Sequence, residues 1–217
     1  MINKLKLIAA SSVFMLFSAI SFAAGPTIDS FAIGGSVLWG AYEANGSETV
    51  ATSKQTDSGE IEVVLGSVFA EVDMGQITLG LDYIPFEAES ETVTNVRADT
   101  VTSGTNTAYV IVKDHVTLYA LIPIGDSGLY AKAGVSEMTV VTKENLATGG
   151  AYNDVDVNGK HIGIGYETDT SSDMFMRVHL DWHDYDEASA TNTNTTNISV
   201  KADLDGYSAG ISIGRRF

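Results

Sequence analysis

The chain has no cysteine, so disulfides and thiol catalysis are both excluded. Positive charge is scarce: 12 Lys and Arg stand against 28 Asp and Glu, for a formal net charge of −16. Nucleic acid is therefore not an expected partner, because phosphate contacts need Lys and Arg. After the first two dozen positions no apolar run approaches the roughly 18 residues of a spanning helix. Any membrane residence must come from strands.

At the N-terminus Lys4 and Lys6 form a short basic start, Leu7 to Ile20 is apolar, and Ser21-Phe22-Ala23 is a small-x-small site. That is the layout of a secretory signal peptide, and the apolar run is too short for an anchor. Residues 1–23 are expected to be removed, leaving 24–217 as one domain. Cleavage takes away two lysines and no acid, so the mature chain is more acidic still.

That domain reads as short segments with period-two hydrophobicity, separated by turn signals. Ile61, Val63, Leu65 and Phe69 form one apolar face. Ile77, Leu79, Leu81 and Tyr83 form a second, Met174, Met176, Val178, Leu180 and Trp182 a third, and Tyr207, Ala209, Ile211 and Ile213 a fourth. Eight strands are expected, near 31–44, 60–73, 76–86, 109–124, 129–142, 160–168, 173–185 and 198–217. In the last one the apolar parity shifts between Leu204 and Tyr207, which predicts a bulge near Asp205-Gly206.

Connections alternate in length. Asp73-Met74-Gly75, Gly125 to Gly128 and Thr168 to Ser172 are tight, whereas about 45–59, 87–108, 143–159 and 186–197 are long and polar. A transmembrane barrel sorts its loops this way, with turns at the periplasmic rim and longer loops outside. A soluble sandwich has no reason for that sorting. A lipocalin-like soluble barrel shares the period, but it does not set long apolar faces against faces of Gly, Ser, Thr and charges such as Asp82, Lys132, Arg177 and Asp181. The expected fold is all-β, an eight-stranded antiparallel up-and-down transmembrane β-barrel, with outer-membrane lipid as its solvent.

The C-terminus, Gly206 to Phe217, is an amphipathic strand ending in an aromatic. It resembles the signal by which barrel assembly machinery recognises outer-membrane barrels, so the resemblance implies that machinery as a partner acting through Phe217. Thr117-Leu118-Tyr119-Ala120, Gly125 to Gly134 and Gly163-Ile164-Gly165-Tyr166-Glu167 resemble the OmpA-type barrel family, OmpX-like members included. The peptidoglycan-binding domain that some members append is not expected here, and its anchoring role does not carry over.

The candidate chemistry is sparse. Asp181-Trp182-His183 with Asp203-Leu204-Asp205 echoes the paired acids and Asp-His of omptin proteases, but omptins are longer and rim charges are usually solvated. Lipid A deacylases share a His-x-Ser pair, and none of His115, His161, His179 or His183 has Ser two residues on. Asp154, Asp156, Asn158 and Gly159 match the first half of a calcium loop, but Gly165 stands where the bidentate acid is needed. Asn45-Gly46-Ser47 reads as a loop turn. No catalytic residue, cofactor or metal is assigned, and the chain is not expected to be an enzyme.

Taking the apolar faces as lipid-facing puts Asp82, Lys132, Glu167, Arg177, His179 and Asp181 inside. Lys132 and Arg177 lie soon after their turns and belong low in the barrel, with Asp82 and Asp181 higher. Unpaired ions cost several kcal/mol in so narrow a space, so a salt-bridged plug is expected, with Glu167 a partner for either base. The reading that follows is a structural or surface-interaction protein displaying four acidic loops. The alternative is a narrow conduit or binding site for a small solute, and an outer-membrane hydrolase is third.

Overall fold

Residues 27–98, 103–146, 150–171, 173–194 and 198–217 are described by the computed structural model. The expected signal segment 1–23 lies outside them. The strands are β1 (Ser30–Val50), β2 (Ser53–Asp73), β3 (Thr78–Ile84), β4 (Ala88–Glu89), β5 (Val93–Ala98), β6 (Ser103–Pro123), β7 (Leu129–Asn145), β8 (Val155–Asp169), β9 (Met174–Thr191) and β10 (Ile198–Arg216). Every strand pairing is antiparallel, and β3, β4 and β5 follow one another along β6, so the wall has eight positions.

Closure is visible in the register. Starting at Gly34, the partners run Phe69, Asp82, Thr117, Ser136, Gly159, Tyr185 and Leu204, then return to β1 at Ala44. The ladder climbs ten residues in one circuit, the stagger that tilted strands need to close on themselves. At the lower rim Phe31 and Phe217 exchange backbone hydrogen bonds at 2.8 and 3.3 Å. The chain's last residue thus joins its first strand.

The tight turns gather at that rim. Asp73 Oδ1 accepts the Gly75 N–H at 2.9 Å, and Gly75 has φ of 76°, a conformation glycine takes without a Cβ penalty. At the other rim the strands outrun expectation. The expected loop 45–59 is a hairpin continuing to a turn at Ala51-Thr52, with Asn45-Gly46-Ser47 inside β1. The loops expected over 87–108, 143–159 and 186–197 are likewise invaded by strand from one or both sides. Polar composition concealed this, because strands that stand clear of the membrane need no lipid-facing apolar side.

The bulge is displaced. Pairing is regular through Asp205 and Gly206, and the irregularities fall between Ala202 and Leu204 against β9, and between Lys113 and Val116 in β6. At the second, Asp114 takes a φ of 56°, the left-handed residue that lets one extra position fit. The parity change at Leu204 has another cause. Leu204 still points inward, like Ser208 and Ser212, but there the interior has become apolar.

One apolar face is the reverse of the expectation. In β2, Val64 and Val68 are more than half exposed, while Phe69 is buried beside Ser67 and Glu71. Leu65 and Phe69 therefore belong to the inner face, and the apolar face expected through them is reversed. Interior Phe69 packs on Phe175, with ring centroids 6.3 Å apart.

Candidate functional site

Alternation fixes what faces lipid. Val37, Ile164, Leu180 and Ile211 are more than half exposed and stand on the outer side of four strands. Phe31, Tyr166 and Phe217 mark the lower edge of this belt; Trp39, Tyr83 and Tyr207 mark the upper. From Phe31 to Trp39 β1 runs about the 9–11 residues that a tilted strand needs to cross hydrocarbon. An apolar belt between two aromatic girdles around a closed sheet has one stable setting. The chain is an outer-membrane β-barrel.

No known family profile and no curated protein matches the chain. Solved structures resemble it in shape. The outer membrane protein OprG of Pseudomonas aeruginosa is 15% identical, covering 85% of this chain and 96% of its own, with a TM-score of 0.45. Neisserial surface protein A is 14% identical over 83% and 97%, with a TM-score of 0.34. The outer membrane protease OmpT of Escherichia coli is 10% identical over 91% and 99%, with a TM-score of 0.43. Likeness at this level carries no role across to this chain.

The site is the lumen, built in layers from the periplasmic mouth upward. The lowest layer is ionic. Arg216 donates to Glu167 and, at 2.5 Å, to Asp169. Arg177 reaches Glu71 through both terminal nitrogens, at 2.5 and 2.9 Å, and Glu167 through Nε. Tyr119 Oη donates to the same Glu71 carboxylate at 2.6 Å. The guanidinium of Arg177 lies 4.4 Å from the Phe175 ring centroid. This pair is dry: the side chains of Arg177 and Glu71 are 7% and 1% exposed.

Above it Lys132 donates to Asp181 at 2.8 Å, and His179 Nε2 lies 3.6 Å from the same carboxylate. Asp82 accepts from Ser67 at 2.7 Å. The remaining three of the chain's four histidines sit one level higher. His183 bonds Ser208 at 2.8 Å, His115 bonds Tyr185 at 3.2 Å, and the His161 and His183 ring centroids are 5.5 Å apart. Buried atoms of His161, His115 and Asp181 have no protein partner. They border a cavity of about 60 Å³, large enough for a few waters, which such polar atoms require.

The top layer is apolar. Met138, Val157 and Tyr185 form a buried cluster, joined by Tyr42, Val112, Val140, Val155, Ala188 and Leu204. Outside at this height are Glu43, Asp184 and Asp205, none of them buried. The barrel therefore inverts: polar within and apolar without where it meets lipid, apolar within and polar without where it meets water.

Of the six residues expected inside, all line the lumen or its mouth. Lys132 pairs with Asp181 and Arg177 with Glu167, but Lys132 does not reach Glu167. Glu71 and Arg216, which complete the lower network, went unrecognised. Glu71 was hidden by the reversed face of β2, although its two-residue spacing from Phe69 was the available signal. The omptin-like set is not assembled. Asp181 is buried inside, while Asp203 is exposed on the outer side of β10. Asp156 and Asn158 lie within β8 on extended backbone, not in a loop that could wrap an ion. Among the described residues no three His, Asp or Glu gather as a metal site.

Proposed function

We propose that this barrel is closed along its axis and serves the envelope as a structural and surface-interaction protein, carrying acidic hairpins outward. The observation that carries the reading is the double seal. Arg177, Tyr130 and Leu121 border both the 60 Å³ chamber and a vestibule of about 270 Å³ at the periplasmic mouth. They are the partition between the two. Higher up, the cluster around Met138, Val157 and Tyr185 fills the space that a conduit would need open.

A water-filled path would leave each lumenal charge solvated. Here Glu71 instead meets Arg177 and Tyr119 at bonding distance in a dry setting, which supports a permanent seal. Planar-bilayer recording of the purified protein is the test. No steady current is expected at moderate voltage, and a stable single-channel conductance would refute closure.

A further inference from the structure

The longest unpaired strand edge among the described residues belongs to β2 and borders a slot in the wall. β2 pairs with β1 from Ser53 to Asp73 but with β3 only from Val68 to Asp73. Above Val68 no strand among the described residues pairs with its second edge, since β4 and β5 pair with β6. Alternate residues of Ser53–Ser67 therefore turn backbone N–H and C=O groups sideways with no ladder partner. The slot begins level with Tyr83, in the upper aromatic girdle, and Ser53 to Glu62 are exposed above it.

The chain's own opposite edge is unsuited to closing this slot. Carrying the β2–β3 register upward would set Gly66 against Pro85, Val64 against Glu87, Glu62 against Glu89 and Glu60 against Glu91. Pro85 has no N–H to give to a ladder. Glutamates directly opposite one another repel. Open edges are usually blunted with Pro, Lys or a covering segment. This one has no Pro, and its single Lys is Lys54 near the tip.

We propose that the free edge of β2, Ser53–Ser67, docks an extended basic polypeptide segment, which adds to the wall as one more strand. Main-chain pairing would supply the affinity. Selection for positive charge would come from Asp57, Glu60 and Glu62 on the edge and Glu87, Glu89 and Glu91 across the slot. A second copy of this chain is the poorer occupant, because it brings the same carboxylates to the contact. The inference rests on the surface-interaction reading above and names the segment and the partner's chemistry.

The test uses the full mature barrel in lipid nanodiscs and a labelled peptide of alternating Lys and Thr. Two controls share its length: an alternating Glu and Thr peptide, and the Lys-Thr peptide N-methylated at consecutive residues, which cannot pair. The Lys-Thr peptide should bind, weaken with salt, and slow amide exchange within Ser53–Ser67. Glu60→Lys/Glu62→Lys changes exposed side chains only, and should weaken binding roughly tenfold, the scale of two surface charge contacts. Equal binding of the methylated peptide, protection elsewhere, or no binding overturns the proposal. So does protection of the same edge by self-association at high protein concentration. Peptide failure with a barrel that still carries no current sinks this inference alone, whereas a steady current sinks closure and leaves the edge measurement standing.

Discussion

Replacing Arg177 by Ala should unfold the lower lumen's balance of charge in a measurable way. Glu71 is 1% exposed and receives two guanidinium nitrogens and the Tyr119 hydroxyl. Removing the arginine leaves that carboxylate buried with one neutral donor, and breaking a buried pair from one side costs about 3–5 kcal/mol. Glu167 suffers less, because Arg216 still holds it. With a urea dependence of about 2 kcal/mol per molar, the unfolding midpoint in lipid vesicles should fall by about 2 M. The double variant Arg177→Met/Glu71→Leu should regain much of this loss, since it removes the orphaned charge and keeps the volume. The assay is urea unfolding followed by Trp fluorescence, with gel mobility of unboiled samples as a check on closure. An unchanged midpoint in Arg177→Ala, or a double variant no better than the sum of the singles, would refute a dry, paired seal.

Three further outcomes are expected. Deleting Phe217 should impair insertion more than final stability, giving protease-sensitive chain in the periplasm; normal insertion would make the terminal aromatic incidental. Ala70→Arg, opposite Ile33 and Leu81 in the apolar belt, should cost about 2 kcal/mol, as a charge on the lipid face of a barrel does, and an unaffected midpoint would put that side of β2 in the lumen. Intact mass of protein from outer membranes should correspond to a chain beginning at Ala24, and retention of residues 1–23 would overturn the cleavage site.

The barrel was legible because lipid makes a strict demand. Each spanning strand must turn alternate side chains to hydrocarbon, so Met176, Val178 and Leu180 announce both a strand and its outer face. β2 escaped because its interior is aromatic. Phe69 and Leu65 resemble lipid-facing residues, whereas Phe69 packs on Phe175 beside the guanidinium of Arg177. A hydrophobic side chain has two places to go in a barrel this narrow, and single-strand periodicity cannot choose between them. The choice is made by the partner strands: Phe69 stands opposite Gly34 on one side and Asp82 on the other.

The extent of the strands beyond lipid was illegible for a related reason. Once above the upper girdle the chain exchanges its solvent, and the apolar side of β6 to β10 moves inward. Leu204 and Tyr207 straddle that exchange on β10, three residues apart and on opposite faces. A parity break with no insertion looks like a bulge if one solvent is assumed throughout. Two solvents explain it without one, because the same regular ladder from Asp205 to Arg215 serves a membrane barrel below and a water-exposed one above. That exchange also puts a packed apolar cap directly over a polar chamber. The cap covers the chamber from above, while Glu71, Glu167, Arg177 and Arg216 border the vestibule below it. The Arg177–Glu71 pair supports the proposed closure from below: its side chains are 7% and 1% exposed, and a buried pair costs far more to break than a solvated one.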